Sequence, residues 1–327
     1  MDIRTNSAQR HILFFTRRPR SALQRALISG AIVAALLFTP LVLQAETRCP
    51  SVQAQRATIW LLDRAHSWFS EHSGYESGFV PLLADDVVLV VEGQPILRGK
   101  TLATEYYRSI DPDSQQRLSW HPTRIDASTD GTLGYSFGWT ETLSDNDEVV
   151  YGENIAVWRR SKNVGWRVAV YYQSTLRGPP DQDSENLALF PDESRRCPPS
   201  PSSEEALLRV DIEFSARSVA DGRAVAFSEY AAPEGALRRS GVLVVGPEAI
   251  AESLSNVPDG EELAWGPQLA GLAESYDIGW TVGPAIYTMP TPEGELSFPS
   301  KYLTIWQREA DGAWRYAIDG GNARPAN

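Results

Sequence analysis

Cysteine, methionine and histidine are scarce in this chain: two, two and four among 327 residues. Lysine is almost as rare, confined to Lys100, Lys162 and Lys301. Most metal chemistry needs histidine, cysteine or carboxylate clustered at ligand spacing. No His-Glu-x-x-His and no Cys-x-x-Cys occurs, so neither a metal nor any other cofactor is expected. A phosphate-cradling glycine loop is also missing. The 30 basic residues are outnumbered by 42 acidic ones, a net charge of −12. Such a field repels nucleic acid and anionic lipid. No nucleic-acid partner is expected, and no membrane contact beyond the amino-terminal segment.

That segment carries Arg4, Arg10, Arg17, Arg18, Arg20 and Arg25 ahead of an apolar run from Ala26 to Leu43. Pro40 interrupts the run, and Leu43-Gln44-Ala45 reads as a cleavage sequence. The layout is that of a signal peptide, so residues 1–45 are expected to be removed and the protein to be periplasmic or secreted. The alternative is an uncleaved anchor, because Ala26 to Ala45 is just long enough to span a bilayer. Without residues 1–45 the chain has 24 basic and 41 acidic residues, a net charge of −17.

The rest of the chain is a repeat. Lys301 to Asp319 reads as a hairpin, with alternating Tyr302, Thr304 and Trp306, a turn at Asp311-Gly312 and a return strand. Glu153 to Tyr171 repeats it, with Trp158 answering Trp306 and Trp166 answering Trp314, both 148 residues apart. Leu118-Ser119-Trp120-His121-Pro122 matches Leu263 to Pro267, and Gly134 to Gly138 matches Gly279 to Gly283. Phe79 aligns with Phe227, and Gly99 with Gly246. Each half opens with a helix, Val52 to Ser70 and Glu204 to Ala220. In the first helix Leu61, Ala65, Trp68 and Phe69 fall at helical spacing, which predicts a buried face. Two domains are expected, residues 46–178 and 204–327. A proline-rich, acidic linker, residues 179–203, joins them.

Helix, short helix, strand, helix and then long strands is an order that resembles the nuclear transport factor 2-like superfamily. That group includes ketosteroid isomerase, scytalone dehydratase and the polyketide-cyclase-like (SnoaL-like) proteins. The resemblance is nearest to its exported bacterial branch. It is carried by Gly246 to Ile250, Leu263 to Pro267, Asp277 to Gly283 and the hairpin at Lys301 to Asp319. It implies an α+β fold: two tandem cone-shaped domains, each a strongly curved, mainly antiparallel sheet wrapped on N-terminal helices. It also implies that the two domains pack on each other, as single domains of this kind pair.

Chemistry is less legible. The isomerase base position implied by the resemblance falls on Val91 in the first half and Arg239 in the second. Glu92 is one residue away, which on a strand means the other face. Gly134-Tyr135-Ser136-Phe137-Gly138 matches the serine-hydrolase elbow, but that motif needs a strand-to-helix turn. Here it continues an alternating strand, and Thr281 replaces the serine in the second half. Small residues on that face serve close approach instead. Candidate pocket residues are His121, Tyr135, Glu153, Tyr171, Trp280, Tyr302 and Asp319, polar or aromatic positions on the strands. The expected function is non-catalytic: an exported tandem protein that binds a small apolar or aromatic ligand or acts as an interaction module. An isomerase, dehydratase or cyclase with a site in one half is the alternative. A structural pairing module is a further one.

Cys49 and Cys197 also stand 148 residues apart, each followed by proline. They are equivalent positions of the repeat, and equivalent residues meet only near a twofold axis. An oxidising compartment would preserve a bridge between them. Closing so long a loop contributes about 5 kcal/mol by chain-entropy reasoning. Thiol titration of the unfolded, unreduced chain is expected to find no free thiol and no covalent dimer. Two reactive thiols per chain would rule the bridge out, and a reducible dimer would make it intermolecular.

Overall fold

The computed structural model describes residues 51–112, 116–143, 148–180, 187–191, 201–239, 241–256 and 260–324. All of them belong to one compact unit, Arg48–Asn327. Cys49, Cys197, residues 1–45 and most of residues 179–203 lie outside the described residues.

The first half opens with α1 (Gln53–Gly78) and a short 3-10 turn, then β1 (Leu83–Val91), β2 (Leu97–Arg98) and α2 (Lys100–Ile110). Four long strands follow: β3 (Arg117–Ala127), β4 (Leu133–Leu143), β5 (Val149–Ser161) and β6 (Gly165–Thr175). The second half has α3 (Glu204–Asp221), α4 (Arg223–Tyr230), β7 (Ala231–Arg239), β8 (Val242–Val245) and α5 (Pro247–Leu254). Its remaining strands are β9 (Glu262–Trp265), β10 (Leu269–Leu272), β11 (Ile278–Thr291), β12 (Gly294–Arg308) and β13 (Trp314–Ala323).

The two sheets have one topology. The first runs β2-β1-β6-β5-β4-β3, and the second runs β8-β7-β13-β12-β11, with β9 and β10 both pairing β11. β1 with β6 and β7 with β13 are parallel, and the other pairs are antiparallel. The strand β3 of one half is therefore β9 and β10 of the other, parted at Gly266-Pro267. Helix breaks also correspond. Gly74 (φ 77) interrupts α1, and Gly222 (φ 87) parts α3 from α4, a backbone region that favours glycine. At Gly138 a Cβ would stand 2.1 Å from the His121 carbonyl, and at Gly283 2.1 Å from that of Gly266. Close approach, not nucleophile display, explains the glycine pattern around Ser136.

Each sheet is buried on both faces. One face packs on its own helices, with Leu89, Ala156, Trp158 and Tyr171 in the first half and Leu237, Trp306, Trp314 and Tyr316 in the second. The opposite faces pack on each other. Tyr135, Phe137, Ile155 and Val157 form one core with Val282, Leu303, Ile305 and Ile318. The equivalent strands β4 and β11 touch, as do β6 and β13. The contact is thus pseudo-twofold. Around its rim Thr129 N–H donates to Asp277 (2.8 Å), Arg124 Nη1 to the Glu234 carbonyl (2.7 Å) and Tyr172 to the Gly321 carbonyl (2.9 Å). Asn322 Nδ2 donates to the carbonyls of Val90 and Gln173. Glu153 pairs with Arg238 at 2.7 Å, both nearly sealed from solvent. The repeat-equivalent of Glu153 is Lys301, also buried, whose Nζ donates to the Ala323 carbonyl at 2.8 Å. Burial pushes its pKa down to about 8, against the pull of the Glu92 charge.

Two expectations are corrected. The stripe of Leu61, Ala65, Trp68 and Phe69 is not the buried face of α1. Trp68 is 55% exposed, Phe69 49% and Leu61 60%. The buried face is Arg56, Ile59, Asp63, Ser67 and Ser70. Its polar groups are satisfied by the sheet: Arg56 bonds Asp126 at 2.9 Å, and Trp120 N–H donates to Ser67 at 2.8 Å. Helical spacing finds a stripe but does not say which stripe faces in. The second correction concerns where the hairpin strand begins: β12 starts at Gly294, not at Lys301, and pairs with β11 out to Thr291–Gly294. Pro284, Pro290 and Pro299 hide that arm from a reading that treats proline as a strand breaker. Leu189 docks on β3, since Ile125 N–H donates to its carbonyl at 2.7 Å.

Removing one partner of a buried ion pair strands the other. Arg238→Met is expected to cost about 3–5 kcal/mol, read by urea unfolding. Adding Glu153→Met should recover most of that loss. If the single change is silent, the pair does not hold the halves together.

Candidate functional site

The interior of each cone is organised on an aspartate of its first helix. Asp63 accepts from Trp120 Nε1 and from Ser136 Oγ, each at 2.6 Å. Trp158 Nε1 in turn donates to Ser136 at 3.0 Å. The second half builds the same frame. Asp211 accepts from Trp265 Nε1 at 2.7 Å and Tyr302 at 2.6 Å, while Trp306 Nε1 donates to Thr281 at 2.8 Å. Burial raises the pKa of Asp63 to about 6, opposed by its hydrogen bonds, and raises that of Asp211 for the same reason. Both carboxyls are enclosed, tie helix to sheet, and are consumed by that task. Sequence reasoning missed them. The signal was there: an aspartate in each helix at the same 148-residue spacing as the tryptophans.

Around this shared frame the cones differ. In the first, Tyr75, Phe79, Tyr107 and Tyr171 fill the interior. Tyr75 stacks on Tyr107 at 5.1 Å, and Phe79 sits 4.6 Å from Tyr171. Val91 completes the wall, buried. The Tyr107 and Tyr171 hydroxyls are buried with no hydrogen-bond partner among the described residues. Desolvation holds both phenols well above their ordinary pKa and pushes Tyr75 up to about 12. This interior is packed by side chains.

Repeat-equivalent positions in the second cone are Arg223 for Tyr75, Leu254 for Tyr107, Asp319 for Tyr171 and Arg239 for Val91. Strand pairing confirms the match, since Tyr171 lies beside Leu89 and Asp319 beside Leu237. Three rings are thus replaced by two smaller side chains and a guanidinium. Thr304 donates to Asp319 at 2.6 Å. Asp319 keeps part of its surface open, yet its carboxyl is deep in the fold. Burial, with help from the Asp211 and Glu153 charges, pushes its pKa up to about 7 against the Thr304 bond. Arg223 pairs with Glu261 and lies 5.1 Å above the Tyr287 ring. Trp265, Leu263 and Val244 are partly buried walls.

Of the sequence candidates, Tyr302 and Asp319 meet in the second cone, and Tyr171 lies in the first. Tyr135, Glu153 and Trp280 lie between the sheets. His121 is at the rim of β3, stacked on Trp139 at 4.0 Å, with Arg64 Nη1 3.5 Å from Nδ1. Desolvation and the Arg64 charge lower its pKa. Glu92 is exposed and accepts from Thr175 N–H at 2.7 Å, while Val91 faces the helices. Clefts outside both cones include a shallow one of about 520 Å³ between α4 and α5, lined by Ala224, Val225, Ser228, Glu229, Ala251 and Glu252. Another, of about 420 Å³, is lined by Asp85, Asp86, Lys100, Arg159 and Arg167. A third, of about 200 Å³, sits between the halves beside Glu153 and Arg238. No cluster of metal ligands occurs among the described residues.

A raised carboxyl makes stability fall with pH. Unfolded, Asp319 ionises near its ordinary 3.8; folded, it keeps its proton to about 7. Its contribution is therefore present below pH 4 and lost as pH rises to about 7. Asp319→Asn should flatten the Tm profile between pH 4 and 7 and raise Tm above pH 7. An unchanged profile would place the carboxyl in water.

No known family profile matches the sequence, and no curated protein does. Solved structures do. A ketosteroid isomerase-like protein from Erwinia carotovora atroseptica is 19% identical, with a TM-score of 0.33 over 39% of this chain and 99% of its own. A nuclear transport factor 2-like protein of unknown function from Pseudomonas putida is 16% identical, with a TM-score of 0.32 over 42% of this chain and 94% of its own. Another from Novosphingobium aromaticivorans, described as having a cystatin-like fold, is 18% identical, with a TM-score of 0.32 over 36% and 80%. The chain is similar to solved structures of the nuclear transport factor 2-like, ketosteroid isomerase-like kind, over a stretch the length of one repeat.

Proposed function

We propose that this is an exported small-molecule binding protein whose ligand site is the cone of the second half. The first half acts as its filled partner. The observation that carries the reading is the substitution of Tyr75, Tyr107 and Tyr171 by Arg223, Leu254 and Asp319 at equivalent places. A mainly apolar chamber with a few convergent polar groups is the usual form of a small-molecule site. Leu237, Leu254 and Trp265 suit an apolar or aromatic body. The Asp319 carboxyl and Thr304 suit one polar end.

One feature favours a second reading, catalysis of the isomerase, dehydratase or cyclase kind. A carboxyl with a pKa of about 7 is matched to acid–base work at neutral pH. Binding is preferred because Arg239 and Val91, not carboxylates, hold the base position of the resembling isomerases.

Native mass spectrometry of protein purified from its host tests the proposal. A small molecule is expected to travel with the wild type. Asp319→Tyr, which refills the cone as in the first half, should lower its occupancy at least tenfold. Tyr171→Phe should leave occupancy unchanged and Tm equal or higher. No bound molecule, or one indifferent to Asp319→Tyr, would leave a structural pairing module.

A further inference from the structure

From Gln53 to Phe69 the outward face of α1 is unlike that of any other described helix. Its exposed residues there are Gln53, Ala54, Ala57, Thr58, Trp60, Leu61, Ala65, Trp68 and Phe69, and none is charged. Trp60 is 37% exposed, beside the more open Leu61, Trp68 and Phe69. Trp68 packs only sideways along the helix, edge-on to Phe69 at 5.3 Å and stacked on His72 at 4.3 Å. A surface helix ordinarily turns charged residues outward. Here, between Gln53 and Phe69, the charged residues Arg56 and Asp63 are buried and held by the sheet, Arg64 is half-buried, and exposed charge returns only at Glu71 and Glu76.

The duplication supplies an internal control. The equivalents of Leu61, Trp68 and Phe69 in α3 are Arg209, Ala216 and Arg217. Arg217 pairs with Asp221 and Glu229 at the surface. The fold therefore does not require an aromatic face at this place; only the first half has one.

We infer that this face docks on the interfacial layer of a lipid bilayer. Tryptophan prefers that layer, and an uncharged aromatic helix face can lie in its plane. The apolar run that ends at Leu43 stands only nine residues before α1 in the sequence. Nine residues reach at most about 30 Å, so a bilayer holding that run lies within reach of the helix. If the run is cleaved, the face still offers peripheral binding. A second copy of the chain is the less suitable occupant, since two bodies of net charge −12 repel. The same charge selects lipid without net charge. The contact would thus rest on apolar burial and be largely indifferent to salt. It modifies the expectation that no membrane contact exists beyond the export segment.

Vesicles of phosphatidylcholine are the probe. The chain from residue 46 contains all the described elements and one compact unit. It is expected to co-sediment with the vesicles and to shift its tryptophan emission to the blue. Trp68→Ser with Phe69→Ser should weaken partitioning at least tenfold with Tm unchanged, because both side chains are exposed. Ala216→Ser with Arg217→Ser, on the equivalent face of α3, should not weaken it. Absence of wild-type binding, or equal loss in both double variants, overturns the proposal. So does a dimer in sedimentation that the Trp68 and Phe69 changes dissolve while vesicles are ignored.

Discussion

Everything in this fold depends on a sheet that is apolar on both faces. Helices cover one face of each sheet. The other face, with Tyr135, Phe137 and Ile155 in one half and Leu303 and Ile305 in the other, needs a second sheet. Exposed, such a face would be an aggregation surface. Duplication within one chain meets the need without a partner molecule. In the long strands β5 and β12 the stretches buried on both sides are Gly152–Trp158 and Lys301–Trp306, equivalent parts of the two repeats.

What was legible in the sequence was what recurs. Trp158 and Trp306, Gly99 and Gly246, and Gly138 and Gly283 are fixed by backbone geometry or by bulk that the fold cannot exchange, so they survive at constant spacing. The order of elements followed from them. What stayed hidden was orientation. The α1 pattern contains two stripes, one aromatic and one polar, and hydrophobicity alone selects the aromatic one. The polar stripe goes inward because Asp63, Ser67 and Arg56 find donors and acceptors on β3 and β4, and those partners are 50 to 75 residues away in sequence. For the same reason the sequence does not say which face Tyr135 and Glu153 occupy. Strand alternation separates two faces but does not name the one turned to the helices.

The cones show how far the two halves have parted. They share the aspartate, the two tryptophans and the hydroxyl between them, a frame that secures helix to sheet. The positions free of that duty have changed most. Tyr171 and Asp319 occupy one backbone site and differ in size, charge and wetting. A filled interior favours rigidity, and a polar one costs desolvation that a bound guest could offset.

Glu153 and Lys301 occupy one site of the repeat and carry opposite charges. In an assembly of two identical subunits every substitution is written twice, at both ends of the symmetry axis. A charge reversal there would confront its own copy of the old partner on both sides at once. Joining the copies in one gene product removes that doubling. Each end of the axis can then be edited alone, so Glu153 could acquire Arg238 while Lys301 settled beside a main-chain carbonyl. The former symmetry has become a record of ancestry, no longer a rule the interface must obey.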